Sequence, residues 1–325
     1  MRILVTGATG FVGQALCARL EQQGHELRRS TRQAPPQATA PGLIAIGELG
    51  PDTDWRLALQ GCDLVIHLAA RVHLMRDTSR DPLTAFRRAN RQGSLNLAKQ
   101  AAAAGVRRFI YLSTIKIHGE QTRFKAAEAH LPEPFRADDP AHPEDAYACS
   151  KWEAEEDLAA WARQSGMELV IIRPPLVHGP GVKGNLARMI QWLQRGWPLP
   201  LGRVDNRRSL VGLDNLIDLL LLCCEHPAAA GRRFLVADAE DLSTPELIRR
   251  MGSALGRPAR LLPVPEPLLY LPARLAGKQG QLSRLLGSLQ LDCRQTQEIL
   301  GWTPRLTLDE GIRRMLEPKA PGKLR

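Results

Sequence analysis

Aromatic side chains are scarce in this chain, 5% of 325 residues, and only three of them are tyrosine. Proteins that hold single-stranded nucleic acid interleave aromatic platforms with basic residues. No such stretch occurs here: the arginines behind the net charge of +10 are dispersed, apart from one short basic run at Lys319 to Arg325. Long apolar runs are also missing. None reaches the ~18 residues of a membrane span, and the longest, Leu219 to Cys224 with its flanks, suits a buried helix. Paired cysteines are absent as well. Cys17, Cys62, Cys149, Cys223, Cys224 and Cys293 form no C-x-x-C pair and have no histidine cluster at zinc spacing, so they read as small buried hydrophobes and no metal is expected. Met1 to Val5 is too short for a signal peptide and runs straight into a glycine motif. The expectation is a cytoplasmic protein with no nucleic-acid partner and no membrane insertion.

What is present is an ordinary globular share of hydrophobic residues, 44%, enough for one large α/β core with a second lobe. The first half alternates short apolar runs with helical stretches, the pattern of a parallel sheet. Strands are expected at Ile3-Val5, Leu27-Ser30, Leu43-Ile46, Leu64-Leu68, Phe109-Leu112 and Leu169-Ile172, with helices at Val12-Gln23, Pro82-Ala104 and Ala146-Gln164. Pro35 to Gly42 reads as a surface loop. Beyond Pro174 proline and glycine crowd the chain, which suggests a smaller second lobe. The expected division is 1–174 and 175–325, with some exchange of chain between the two.

Chemistry first appears at Thr6-Gly7-Ala8-Thr9-Gly10-Phe11-Val12-Gly13, between a strand and a helix. Gly7 permits a tight turn, Gly10 lets backbone approach a pyrophosphate, and Gly13 lets the helix pack on the sheet. The helix N-terminus offers free N–H groups to phosphate. The second strand ends without the acid that holds an NAD ribose; Thr31 and Arg32 stand there, with Arg29 nearby, so NADP(H) is the expected cofactor and NAD(H) the alternative. Ala69 and Ala70, after Leu68, leave room for the cofactor at the fourth strand's end. His67 beside them reads as a packed histidine. The fifth strand runs into Ser113 and Thr114. Tyr147 and Lys151 then stand four apart, one turn along one helical face. A nearby ammonium lowers a phenol from its ordinary pKa of about 10 toward the range of a proton carrier, and a serine or threonine hydroxyl can orient a carbonyl.

These motifs, with Arg173 to Gly181 (R-P-P-L-V-H-G-P-G) and the closing Leu300-Gly301-Trp302-Thr303-Pro304 and Glu310-Gly311-Ile312, resemble the extended short-chain dehydrogenase/reductase family in order and spacing over nearly the whole chain. The resemblance implies a doubly wound parallel Rossmann sheet with a smaller C-terminal lobe for a nucleotide sugar. It makes Tyr147 the acid/base, Lys151 the ribose ligand that lowers the tyrosine pKa, and Thr114 the catalytic hydroxyl with Ser113 as its neighbour. Gly7, Thr9, Gly10, Phe11, Val12 and Gly13 would cradle the cofactor, Glu48 and Leu49 would lie near adenine, and Pro174 against the nicotinamide. Asn185 and Arg208 would take the substrate diphosphate, with Arg284 a further candidate. Glu48 replaces the family's usual Asp, and His118 and His178 stand where it often has Tyr. Lys116 stands where the sugar dehydratases carry an acid, which argues against a dehydratase; it could instead help hold a 4-keto sugar.

Ser113 to Glu120 and Asn206 to Asn215 look most like the bacterial epimerase-like reductases of O-antigen, hence lipopolysaccharide, synthesis. The leading expectation is therefore NADPH-dependent reduction of a UDP-4-keto-6-deoxy-N-acetylhexosamine to UDP-N-acetylquinovosamine or UDP-N-acetylfucosamine. The alternatives are a UDP-hexose 4-epimerase and a non-catalytic, cofactor-sensing protein. A homodimer through a helix pair is what the family implies.

Overall fold

A computed structural model describes residues 1–33, 42–72, 81–122, 133–275 and 279–317. Most of the expected proline loop, 35–41, and the basic run 319–325 lie outside the described residues.

The chain builds β1 (Arg2–Thr6), α1 (Phe11–Gln22), β2 (Glu26–Thr31), β3 (Leu43–Ala45), α2 (Arg56–Leu59), β4 (Leu64–His67), α3 (Pro82–Phe86), α4 (Gly93–Ala103), β5 (Arg108–Leu112), α5 (Ala146–Ser165) and β6 (Glu168–Arg173). Apart from the short α2, which was not expected, these are the strands and helices expected from the apolar periodicity, within one or two residues. One feature of the expected Pro82–Ala104 helix was not foreseen: Arg87–Gln92 forms a π turn between α3 and α4. The second half adds β7 (Leu176–His178), α6 (Gly184–Gln194), β8 (Leu210–Gly212), α7 (Leu213–Glu225), β9 (Arg232–Leu235), α8 (Thr244–Ala254), α9 (Glu266–Leu275), α10 (Gln279–Leu286), α11 (Arg294–Leu300) and α12 (Leu308–Leu316).

Seven strands form one parallel sheet in the order β3-β2-β1-β4-β5-β6-β9. Successive residues of its inner strands point to opposite faces. Ile3, Val5, Ile66, Ile110, Val170 and Ile172 feed one apolar cluster with Leu16 and Leu20 of α1 and Leu216, Leu219 and Leu220 of α7. Leu4, Val65, Phe109, Tyr111 and Ile171 feed the other, with Leu97 and Ala101 of α4 and Leu158 of α5. Both faces are thus covered by helices, as a doubly wound sheet requires. The order reverses between β1 and β4, so the crevice for a ligand opens at the carboxyl ends of those strands.

A third cluster, from α6, α8, α10 and α12, forms the core of the smaller lobe. The lobes share chain. β9 returns from the second half to complete the main sheet beside β6, and β7 and β8 form a separate parallel pair. Among the described residues, no helix is long and apolar enough to cross a membrane.

Candidate functional site

The crevice floor is stitched together by short-range polar contacts. Gly7 has φ +67, and a Cβ there would come within 2.8 Å of the Ala69 nitrogen. A Cβ on Gly13 would run into the Gly7 carbonyl oxygen. The turn is therefore closed to any larger residue at these two positions. Gly10 caps α1 without a side chain, leaving backbone N–H groups at the mouth. Thr9 and Gly10 are exposed and Phe11 and Val12 partly so. Ala69 and Ala70 are partly open beside them, and the Ala69 N–H donates to Thr6 Oγ1 at 3.1 Å. A glycine cradle that Cβ atoms would fill, at a helix N-terminus and a strand reversal, fits a dinucleotide diphosphate.

His67 is the packed histidine expected. It is fully buried between Thr6 Oγ1 at 2.6 Å and Ser94 Oγ at 2.8 Å, and burial, helped by Lys151, lowers it to about 3. Glu48, expected near adenine, is exposed and its carbonyl accepts the Thr53 hydroxyl at 2.8 Å. The Leu49 side chain lies 3.0 Å from where a Gly93 Cβ would stand.

The candidate catalytic groups converge from β5, α5 and β6. Asp145 caps α5 by accepting the Ala148 N–H at 2.7 Å, which sets the helix start just before Tyr147. Tyr147 is partly exposed, with its ring edge-on to Phe86 at 6.0 Å. Burial, with the Asp145 carboxylate second, pushes the phenol up to about 12. Lys151, one turn on, is fully buried. Its ammonium donates to the Leu112 carbonyl at 2.7 Å and sits 3.8 Å from the centre of the Tyr111 ring. Burial lowers it to about 7, opposed by Glu155. In the protein alone the lysine is thus turned to β5, and the expected downward pull on Tyr147 is not in place. Thr114 starts a 3-10 turn, with Oγ1 accepting the Lys116 N–H at 3.3 Å. Ser113 Oγ is buried with no hydrogen-bond partner among the described residues. Pro174 is buried, and its carbonyl accepts the Ile115 N–H at 3.0 Å.

Lys116 is not a free cation. Its ammonium lies 2.8 Å from Glu120 and 3.0 Å from Asp145, and Arg284 of α10 reaches the same carboxylates at 3.2 and 3.5 Å. This four-charge cluster ties the second lobe to the cap of the tyrosine helix. Arg208 donates to the Arg284 and Gly287 carbonyls at 2.6 and 2.8 Å, and its burial lowers its pKa. Arg207 is exposed. Asn185 sits exposed at the start of α6 and accepts from Arg188 at 2.5 Å. Arg208 and Arg284 therefore come together, while Asn185 stands on a different helix with its own partner.

Two groups escaped the sequence reading. Asn90, in the π turn, is buried; it bonds the Arg71 backbone at both N–H and C=O and donates to Ser150 Oγ at 3.0 Å, next to Lys151. π turns recur at functional sites, and an Asn amid a long helix with Ser94 one turn on was the available signal. The second is the buried pair Arg173–Glu155, 2.5 Å apart, which pins the end of β6 to α5 one turn beyond Lys151.

The sheet reversal and glycine cradle define a Rossmann-type dinucleotide-binding enzyme. Residues 3–237 match the model of the NAD dependent epimerase/dehydratase family, and the chain belongs to that family; it is an NAD(P)-dependent oxidoreductase. It is 43% identical over 312 residues to a Vibrio cholerae protein described as UDP-glucose 4-epimerase, covering 96% of this chain and 93% of that one. Among solved structures it resembles the Bordetella bronchiseptica enzyme WbmG in complex with NAD, at TM-score 0.74 and 23% identity, covering 97% of this chain and 93% of that one. It also resembles UDP-glucuronic acid 4-epimerase from Bacillus cereus in complex with NAD, at TM-score 0.74 and 20% identity, covering 97% of each.

The cofactor expectation is corrected by these comparisons. Several of the similar structures are described with NAD bound, and none of these with NADP, which favours NAD(H). The structure supplies a physical reason. The Arg29 guanidinium is ion-paired with Glu21 of α1, so one of the two arginines counted toward a 2′-phosphate already has a carboxylate partner. Arg32, just past the strand end, is exposed.

Proposed function

We infer that this protein is an NAD(H)-dependent 4-epimerase of UDP-linked hexoses. The observation that carries the reading is the 43% identity to the Vibrio cholerae UDP-glucose 4-epimerase over nearly the whole of both chains. It displaces the reductase as the leading reading.

Bound NAD supplies the chemistry of taking a hydride from the sugar C4 and giving it back. The rest falls to this chain. Gly7, Gly10 and Gly13 with the start of α1 hold the diphosphate, Ala69 and Ala70 leave space beside it, and Lys151 takes the ribose. Tyr147 Oη takes the C4 hydroxyl proton and later returns it. Its pKa of about 12 keeps it protonated in the protein alone, so positive charge must reach it before it can accept a proton. Lys151, poised at about 7, is the group of this chain that can bring such charge. Thr114 Oγ1 already accepts the Lys116 N–H, which leaves its own hydrogen to donate to the sugar oxygen. Arg208, Arg284 and Asn185 would take the UDP diphosphate.

A UDP-4-keto-sugar reductase is the second reading, favoured by the likeness of the runs Ser113 to Glu120 and Asn206 to Asn215 to such reductases. The test is interconversion of UDP-galactose and UDP-glucose by the purified protein with no reductant added. No interconversion, together with stoichiometric consumption of reduced cofactor on a UDP-4-keto-6-deoxy-N-acetylhexosamine, would replace the epimerase with the reductase.

A further inference from the structure

The second lobe carries an apolar face that the proposed chemistry does not use. In α9 the sequence Glu-Pro-Leu-Leu-Tyr-Leu-Pro-Ala-Arg-Leu turns Leu269 inward, where it joins the cluster formed with Leu286 and the partly buried Leu282 and Leu285 of α10. Leu268, Leu271 and Leu275 recur at helical spacing on the outside and are 64%, 66% and 83% exposed. Leu262, just before the helix, is exposed as well. Its strand-like segment bonds to the loop after α6: Leu199 N–H donates to the Arg260 carbonyl and Leu262 N–H to the Leu199 carbonyl, both at 2.8 Å. Two residues before Leu199, that loop exposes Trp197 with the Arg195 guanidinium 5.2 Å over its ring. Single exposed leucines need no explanation, but three along one helix stripe with a tryptophan on the neighbouring loop do.

The charge in the segments that form this face is mainly positive. Arg257 to Leu275 contains Arg257, Arg260 and Arg274 against the single acid Glu266, and Arg195 to Arg203 contains two arginines and no acid. All five arginines are exposed. Self-association through this face in a two-fold dimer would set arginine rim against arginine rim, which like charges oppose. A helix with an apolar outer stripe, flanking arginines and a tryptophan is the composition that lies in the plane of an anionic bilayer, leucines in the acyl boundary and guanidiniums at the phosphates. The inner side of α9 packs on α10, whose Arg284 sits in the charge cluster at the start of α5. Docking would therefore place the membrane one helix away from the substrate lobe's arginines.

We propose that the outer face of α9, with Trp197 and Leu262, is a docking surface for an anionic lipid bilayer, which the protein binds peripherally. It is independent of which sugar the enzyme takes. The test is flotation of the full-length protein with vesicles of equal parts phosphatidylglycerol and phosphatidylcholine, beside vesicles of phosphatidylcholine alone. The wild type should float with the anionic vesicles, and salt should release it. The variant Leu268→Ser/Leu271→Ser/Leu275→Ser, changed only at exposed positions, should partition about a hundredfold less. Arg257→Gln/Arg260→Gln/Arg274→Gln should lose about ten- to a hundredfold on anionic vesicles only. Turnover of a soluble UDP-sugar should be unchanged in both. Failure of the wild type to float, or flotation indifferent to both sets of changes, overturns the proposal. So does a wild type that elutes as an oligomer which the serine variant dissolves, since the stripe would then be a contact between copies of the chain.

Discussion

Glu155 ties α5, the helix of Tyr147 and Lys151, to the end of β6 through Arg173. Its carboxylate is 0% exposed and its partner Arg173 2%. The guanidinium donates to Glu155 through Nε and Nη2 and also to the Ala137 carbonyl, with His118 Nε2 2.9 Å away. Glu155→Ala removes the only buried anion, among the described residues, that pairs with that guanidinium, so an unpaired charge is left where water does not reach. Breaking such a pair typically costs about 3–5 kcal/mol, more than the pair's own net worth, because the surviving charge stays desolvated. Against a usual total of about 5–15 kcal/mol, this is a large share. Urea unfolding should show the midpoint falling with little change in slope. The double change Glu155→Leu/Arg173→Met should recover much of the loss, since an apolar pair carries no charge to strand. Because Glu155 lies one turn beyond Lys151, turnover of the folded Glu155→Ala protein should fall as well. A cost under about 1 kcal/mol would refute the reasoning, by showing that the Ala137 carbonyl, His118 and entering water satisfy Arg173 unaided.

Acid should weaken the fold through two histidines. Burial lowers His67 to about 3 and His118 to about 4, from an ordinary 6.5. The unfolded chain thus takes up these protons first, and stability present above pH 6.5 is lost as pH falls toward 4, at about 1.4 kcal/mol per pH unit for each histidine; His118→Gln should flatten that slope in a pH series of urea midpoints. Tyr147→Phe should lower kcat by about 10²–10⁴ with cofactor affinity nearly intact by calorimetry. Thr114→Val should be worse for kcat than Ser113→Ala; the reverse order would move the catalytic hydroxyl one residue back. Gly13→Ala, whose Cβ has no room beside the Gly7 carbonyl, should abolish NAD binding or folding, whereas Gly105→Ala, with nothing near its Cβ but φ +80, should cost about 1 kcal/mol of strain and leave NAD affinity alone.

The alternating apolar runs, the glycine turn and the Tyr147–Lys151 spacing are local patterns, and local periodicity is enough to set six strands and their helices. The same locality explains why the family was legible: its motifs are short runs at strand ends and helix ends. Partnership between distant side chains is not written in any window of the sequence. Arg29 looked available for a phosphate because nothing in its own segment showed that Glu21, on the preceding helix, would reach it. Lys116 looked like a cation for the substrate until folding brought Asp145, together with the nearer Glu120, against it. β9 escaped notice because its pairing with β6 joins residues some sixty positions apart in a proline- and glycine-rich stretch, and Asn90 because a π turn depends on what the helix packs against. Composition and period thus determined the architecture and the chemistry on offer. Which charges remain free to act was decided only when distant segments met, Glu21 taking Arg29 and Asp145 with Glu120 taking Lys116, since a charge drawn out of water must be met by a counter-ion or a polar partner.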